Sequence, residues 1–265
     1  MSPTRSGEMT PRVISSISLV LIGFVSVYWG GVLFFLFCGV IGGIMIWEAA
    51  QLADPDISAP AAIILGILAS VTSLVAAFPA IDPLPAALLV LAVPFGGLLV
   101  LRAGQTRFFV FGSLALFAVH ILDTLREELG LMTVLWVITT VIVVDVSGYF
   151  VGRRLGGPKL APRISPKKTW SGALAGWLGA VGVSFIFQPY VIESTILFAL
   201  FLAVTAQGGD LAESWLKRAA GEKDSSSLLP GHGGFCDRFD GIAGASLGVW
   251  IIQVFETSAA QAALN

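Results

Sequence analysis

The residues able to do chemistry in this chain gather in one stretch, Ser214 to Asp240, which holds Lys217, Arg218, Lys223, Asp224, His232, Asp237, Arg238 and Asp240. The rest of the chain is largely apolar. Only 12% of the 265 residues are charged and 56% are hydrophobic. A polar block this dense in such a setting marks a site, because removing charge from water costs free energy unless each group finds a partner. Asp210, Ser214 and Lys217 follow one another at spacings of four and three. On a helix they share one face. A carboxylate, a hydroxyl and an ammonium in one column can hold a metal ion and touch a phosphate. The glycines of Leu229-Pro-Gly-His232-Gly233-Gly234 do not continue a helix. They predict a loop whose backbone N–H groups can face anionic oxygens. Asp237 and Asp240 follow at once. Such carboxylates suit magnesium, which usually takes one or two of them and completes its shell with substrate phosphates and water.

A further polar set lies upstream. Asp145, Tyr149 and Arg153 recur at four-residue steps, and Ser165-Pro-Lys-Lys168-Thr169 is a basic, hydroxyl-bearing loop. Asp145 is expected to be buried in the sixth apolar span. Asp210 lies about two turns inside the last basic residue of its segment, within or near the membrane boundary. An ionisable group there is a functional hypothesis by default; the competing reading is a structural ion pair with Lys217 or Arg218. For Arg153, Arg154, Lys159 and Arg163 the plain alternative is an anchor attracted to anionic lipid. His120, Glu48, Asp123 and the Arg126-Glu127-Glu128 cluster are given no special role.

The elements that must position these groups are membrane helices. A soluble domain carries about a quarter charged residues. This chain carries half that, with a mean hydropathy of +0.88, in apolar blocks near the roughly 20 residues needed to cross a bilayer. The fold class is therefore all-α, a polytopic helical bundle with spans at 13–29, 31–52, 60–80, 83–101, 107–122, 133–152, 171–188, 194–213 and 241–257. The apolar run from Val13 to Trp47 is too long for one crossing at ~1.5 Å per residue. Tyr28-Trp29-Gly30-Gly31 is the natural turn within it; without that turn eight spans remain. One membrane domain is expected over 1–265, with generic spans over 1–130 and a catalytic half over 131–265 carrying loops 153–170 and 214–240.

Orientation follows from Arg153, Arg154, Lys159, Arg163, Lys167 and Lys168, which share one short loop with no acid among them. That loop should stay in the cytoplasm. Counting through nine spans puts the N-terminus and the 214–240 block on the same side. Arg5 and Arg12 precede the first span as in a signal peptide, but no cleavage pattern follows, so a retained helix is expected. Cys38 and Cys236 make neither a disulfide framework nor a zinc spacing. Small-residue pairs at Gly39/Gly43, Gly148/Gly152, Gly172/Gly176 and Gly244/Gly248 are expected to serve packing within the chain rather than a dimer.

The block from Ser214 to Asp240 resembles the signature of bacterial phosphatidate cytidylyltransferases (CDP-diacylglycerol synthases). That signature runs Ser-x-apolar-Lys-Arg, four residues, Lys-Asp-x-small, two residues, then Leu-Pro-x-His-Gly-Gly-apolar-x-Asp-Arg-apolar-Asp, and every position has its match here, with Ser226 at the small position. Ile164-Ser-Pro-Lys-Lys-Thr-Trp-Ser-Gly172 and Asp145-x-x-Gly-Tyr-x-x-Gly-Arg153 are similar to two further family segments. Ser171 departs from the pattern, which often has Glu there. The resemblance covers roughly the C-terminal half.

The resemblance implies a reaction in which CTP and phosphatidate give CDP-diacylglycerol and pyrophosphate, for phospholipid biosynthesis. It implies Asp210 and Asp237 as ligands of a catalytic Mg2+, with Asp145 and Asp240 as further candidates, and a monovalent cation such as K+ sharing the site. Lys217, Arg218, Lys223, Asp224, His232 and Arg238 form the catalytic set. Ser165, Lys168, Thr169, Ser214, Gly233 and Gly234 form the substrate-binding set. Expected partners are CTP, phosphatidate and membrane lipids, with no nucleic acid; a homodimer is left open. The expected location is the bacterial inner membrane, with the site facing the cytoplasm. Two rivals stay on the page. A CTP-dependent lipid-alcohol kinase would release CDP instead of pyrophosphate. A transporter would show paired repeats with interrupted helices, whereas the ionisable residues here crowd into one half of the chain.

Overall fold

In a computed structural model, residues 5–78, 80–191, 195–229 and 233–264 are described. His232 lies outside them. Nine helices are found among the described residues: α1 (Arg5–Trp29), α2 (Gly31–Ala53), α3 (Ala59–Ala76), α4 (Pro83–Val100), α5 (Gln105–Glu128), α6 (Leu131–Leu155), α7 (Trp170–Phe187), α8 (Ile196–Ala219) and α9 (Cys236–Leu264). Each coincides with one expected span. Six of them, α2, α3, α5, α6, α7 and α8, are long and apolar enough to cross a membrane. α1 and α4 carry shorter apolar segments, Ile17–Trp29 and Leu84–Val100. Large apolar side chains stand outward on these helices, such as Val32, Leu99 and Leu178, as a lipid-facing surface requires and an aqueous one does not. The chain is a multi-pass helical membrane protein.

Three expectations need correction. The 153–170 loop is not wholly irregular: β1 (Lys159–Ala161) and β2 (Ser165–Thr169) pair antiparallel, Lys159 opposite Thr169 and Ala161 opposite Ser165. Pro158 and Pro166 oppose a helix there, and the backbone polar groups pair in a hairpin instead. The 214–240 segment is mostly helical at its two ends, since α8 runs to Ala219 and α9 begins at Cys236. The Arg126–Glu127 cluster, given no special role, holds the break between α1 and α2: Arg126 Nε donates to the Val27 carbonyl at 2.8 Å, and Glu127 Oε1 accepts from Gly31 N at 3.1 Å.

The chain divides into two compact units. The first comprises residues 1–127 and 216–239. Gly30 and Gly31, at φ 66° and 51°, make the break between α1 and α2 where the sequence placed it, since that region of backbone space is open to glycine. α2 packs on α3 through its small residues: a Cβ on Gly43 would collide with Ser70 Oγ and come within 2.6 Å of the Gly66 carbonyl. Phe34, Met45, Ile46, Phe108 and Leu116 are among its fully buried core side chains.

The second unit comprises residues 128–215 and 240–265. α6 and α7 are joined by close backbone approach, with a Cβ on Gly172 within 3.3 Å of Gly152 Cα. Thr169 caps α7, accepting from Gly172 N at 3.2 Å. Gly209 of α8 and Gly244 of α9 leave each other room only without side chains, a Cβ on Gly209 falling 3.0 Å from Gly244 Cα. All four small-residue pairs thus serve contacts within the chain, as expected.

Candidate functional site

In the first unit the site is built around Asp237, in the first turn of α9. Lys217, in the last turn of α8, is buried, and its Nζ lies 2.5 Å from Asp237 Oδ1. Asp237 Oδ2 accepts from Ser225 N, Ser225 Oγ and Gly234 N, each at 2.8 Å. Burial alone would raise this carboxyl; the lysine, the two amides and the hydroxyl reverse that and hold it down at about 2.

The glycines explain how the loop closes. Gly233 has φ +77°, and a Cβ there would stand 2.6 Å from Asp237 Oδ2. A Cβ on Gly234 would strike Ser225 Oγ and Glu48 Oε1. The amide of Gly234 is committed to Asp237, and Leu229 N donates to Gly233 O at 2.9 Å. The Gly234 N–H, expected to face a ligand, thus faces the Asp237 carboxylate, and the N–H groups of the next two residues, Phe235 and Cys236, face Glu48.

The second carboxylate is one the sequence reading passed over. Glu48 of α2 is fully buried. Its Oε1 accepts from Ser226 Oγ at 2.6 Å and Phe235 N at 2.9 Å; its Oε2 accepts from Cys236 N at 2.8 Å and Ser225 Oγ at 3.0 Å. The available signal was the residue itself, an ionisable group inside an apolar helix. Arg218, Lys223, Asp224 and Arg238 of this unit are exposed; Arg218 donates to the Glu222 carbonyl at 2.7 Å.

In the second unit a cation sits between carboxylates. Lys168 of β2 is ion-paired with Asp210 of α8, with side chains 24% and 26% exposed. Asp145 of α6 lies within electrostatic range of both. Its side chain is exposed on the protein surface rather than buried. Ser214 is buried and donates to Asp210 Oδ1 at 3.4 Å, as their four-residue spacing predicts. The expected alternative partners of Asp210, Lys217 and Arg218, are engaged elsewhere. Thr169 is the buried cap of α7 and Ser165 a strand residue facing Ala161. Ser171, the departure from the resembled pattern, makes a 3.0 Å contact with Thr169 Oγ1 and donates to the Gly156 carbonyl. Asp240 Oδ1 accepts from Gly241 N at 2.7 Å.

The arrangement is two nests of carboxylate oxygen, each holding a lysine ammonium. No group of three or more His, Cys, Asp or Glu side chains able to hold a metal is found among the described residues. Carboxylate oxygens are donors of the kind that magnesium takes, with few of them from protein, and not those of a soft metal.

Comparison with known proteins supplies the relationship. Residues 10–255 match the model of the cytidylyltransferase family. The chain is 48% identical over 124 residues to a phosphatidate cytidylyltransferase of Brucella abortus biovar 1 (strain 9-941), covering 45% of this chain and 46% of that one. It is 43% identical over 121 residues to that of Bacillus subtilis (strain 168), covering 43% and 44%, and 39% identical over 125 residues to that of Haemophilus influenzae (strain ATCC 51907 / DSM 11121 / KW20 / Rd), covering 44% and 43%. The chain thus spans just under half the length of the curated relatives it matches. The family match, by contrast, runs through nearly all nine helices, and on that ground the chain belongs to the cytidylyltransferase family.

Proposed function

We propose that this protein transfers the cytidylyl group of CTP to phosphatidate, giving CDP-diacylglycerol and pyrophosphate. The observation that carries the reading is the Asp237 cluster, in which the signature residues Lys217 and Gly234, together with Ser225, all bond to the signature carboxylate of Asp237, in a chain matched to the cytidylyltransferase family.

The chemistry asks for what these residues offer. The attacking atom is a phosphate oxygen of phosphatidate, already anionic, so no general base is needed. It bonds to the α-phosphorus of CTP as the bond from that phosphorus to the bridging α–β oxygen breaks, and pyrophosphate leaves. The difficulty is bringing anions together, which positioning and electrostatics solve. Lys217 and Lys168 carry charge at fixed points, and Arg218, Lys223 and Arg238 are exposed cations able to grip phosphate oxygens; arginine does so bidentately. Asp237 in the first unit, and Asp210 and Asp145 in the second, are each residues that would hold divalent cation, with Asp240 a further candidate. A bound Mg2+ would neutralise phosphate charge and orient the α-phosphorus. A K+ ion as a second occupant stays part of the proposal.

The setting suits the substrates. Phosphatidate stays in a bilayer and CTP stays in water, so the site belongs at a boundary. The reading includes nine spans, a cytoplasmic N-terminus and a site facing the cytoplasm of a bacterial inner membrane, supported by the basic loop Arg153–Lys168. The experiment is incubation of the purified protein with CTP, phosphatidate and Mg2+ and identification of the lipid product by mass. CDP-diacylglycerol upholds the reading; an unchanged phosphatidate pool under conditions where the protein is folded overturns it.

A further inference from the structure

We infer that Glu48, in the membrane-embedded N-terminal portion, is a positioning residue for the site. Its carboxylate clamps the segment that carries Asp237. The inference rests on the reading of Asp237 as a divalent-cation ligand.

Glu48 is the one acid in α2, a 23-residue helix whose other members are apolar, small or amide. An isolated carboxylate there is costly unless something compensates it. Two backbone amides and two hydroxyls do so, and all four belong to residues 225–236. A lipid-facing helix with a packing role alone needs no such group; a leucine would fill the space. The carboxylate instead grips the loop on both sides of 230–232: Ser225 and Ser226 before it, Phe235 and Cys236 after it.

The clamp reaches Asp237 by a short route. Ser225 Oγ lies 3.0 Å from Glu48 Oε2 and 2.8 Å from Asp237 Oδ2. One hydroxyl proton serves one acceptor at a time, so Ser225 stands between two carboxylates and its amide secures Asp237 independently at 2.8 Å. Cys236, whose N–H binds Glu48, directly precedes Asp237 in the first turn of α9. Its thiol is fully buried and donates to the Met45 carbonyl of α2 at 3.6 Å. Glu48 therefore sets where α9 begins, and with it the direction of the Asp237 side chain. Gly234 completes the fit, since any larger residue would meet the Glu48 carboxylate.

The experiment uses the full chain with Cys38→Ala, leaving Cys236 as the reporter thiol. Glu48→Gln keeps the shape but turns an NH2 group toward backbone donors. The maleimide labelling rate of Cys236, measured without substrate or metal, is expected to rise at least tenfold. Mn2+, used as the probe ion and followed by its electron spin resonance signal, is expected to bind about tenfold more weakly. The KM for CTP should rise while kcat at saturating Mn2+ and CTP stays within about threefold. Ser226→Ala, which removes one donor and leaves the carboxylate, should move labelling and Mn2+ affinity the same way by about threefold. An unchanged labelling rate in Glu48→Gln overturns the inference whatever the protein's activity, so failure here is separate from failure of the proposed reaction. Faster labelling with unchanged Mn2+ affinity and KM also overturns it, because Glu48 would then only hold the fold. If Glu48→Gln does not fold, an unmoved Ser226→Ala overturns it.

Discussion

Lys217 Nζ and Asp237 Oδ1 stand 2.5 Å apart, one closing α8 and the other opening α9, with side chains each 11% exposed. Twenty residues separate them in sequence. The pair brings the two ends of the polar block together, and its charges are shielded enough from water to matter. Removing one partner of a buried pair leaves an uncompensated charge, which is the costly change.

Lys217→Ala should lower kcat/KM by about 1.5–3 kcal/mol, the usual range for a lost hydrogen bond to a charged group. It should also lower the unfolding midpoint in detergent. The double variant Lys217→Ala/Asp237→Asn should recover part of that midpoint but none of the activity. Normal turnover in Lys217→Ala would reduce the lysine to an anchor.

Asp237 carries a pH signature. Its folded value of about 2 lies below the ordinary carboxylate range, so the folded state favours the charged form. Its stabilisation is fully present above about pH 4, the unfolded value, and is lost as pH falls through about 2. The size is on the order of 2 kcal/mol. The difference in unfolding free energy between wild type and Asp237→Asn should therefore be flat from pH 8 to 5 and shrink below pH 4. A difference that fades between pH 7 and 5 would contradict the hydrogen-bond set described here.

Asp210 should separate activity from stability. Its pair with Lys168 is about a quarter exposed, and pairs open to solvent contribute about 0–1 kcal/mol. Asp210→Asn should leave the unfolding midpoint within a few degrees of wild type and abolish CTP-dependent activity. Near-normal turnover with Mg2+ would remove Asp210 from the metal-binding set.

Two glycines with the same backbone angle should behave differently. Gly221 and Gly233 both have φ +77°, but a Cβ on Gly221 meets nothing within 4 Å, whereas one on Gly233 meets Asp237 Oδ2 at 2.6 Å. Gly221→Ala should cost only the left-handed backbone term, roughly 1–2 kcal/mol, and spare activity. Gly233→Ala should add a steric term of about 1–3 kcal/mol and displace Asp237. Equal effects on kcat/KM would deny the close approach.

Much of this architecture was legible because apolar length and glycine position are local properties. The break at Gly30–Gly31 and the start of α7 at Trp170 could be read from the chain directly. The Asp210–Ser214 contact was legible for the same reason, being one helical turn. What was not legible depends on contacts distant in sequence. Nothing near Glu48 announces that its partners lie 177 to 188 residues away. The β1–β2 hairpin was missed because a short run of Ser, Pro and Lys lacks the alternation of a half-buried strand. Asp145 looked buried because depth along α6 can be counted, whereas the direction its face takes cannot.

The most direct measurement of the central claim follows the phosphorus atoms of CTP in proteoliposomes containing phosphatidate and Mg2+. With label at the α-phosphate, radioactivity should enter the lipid fraction; with label at the γ-phosphate, it should leave as pyrophosphate and never reach the lipid. Label from the γ-position appearing in lipid, with CDP released, would contradict the account and make the protein a kinase.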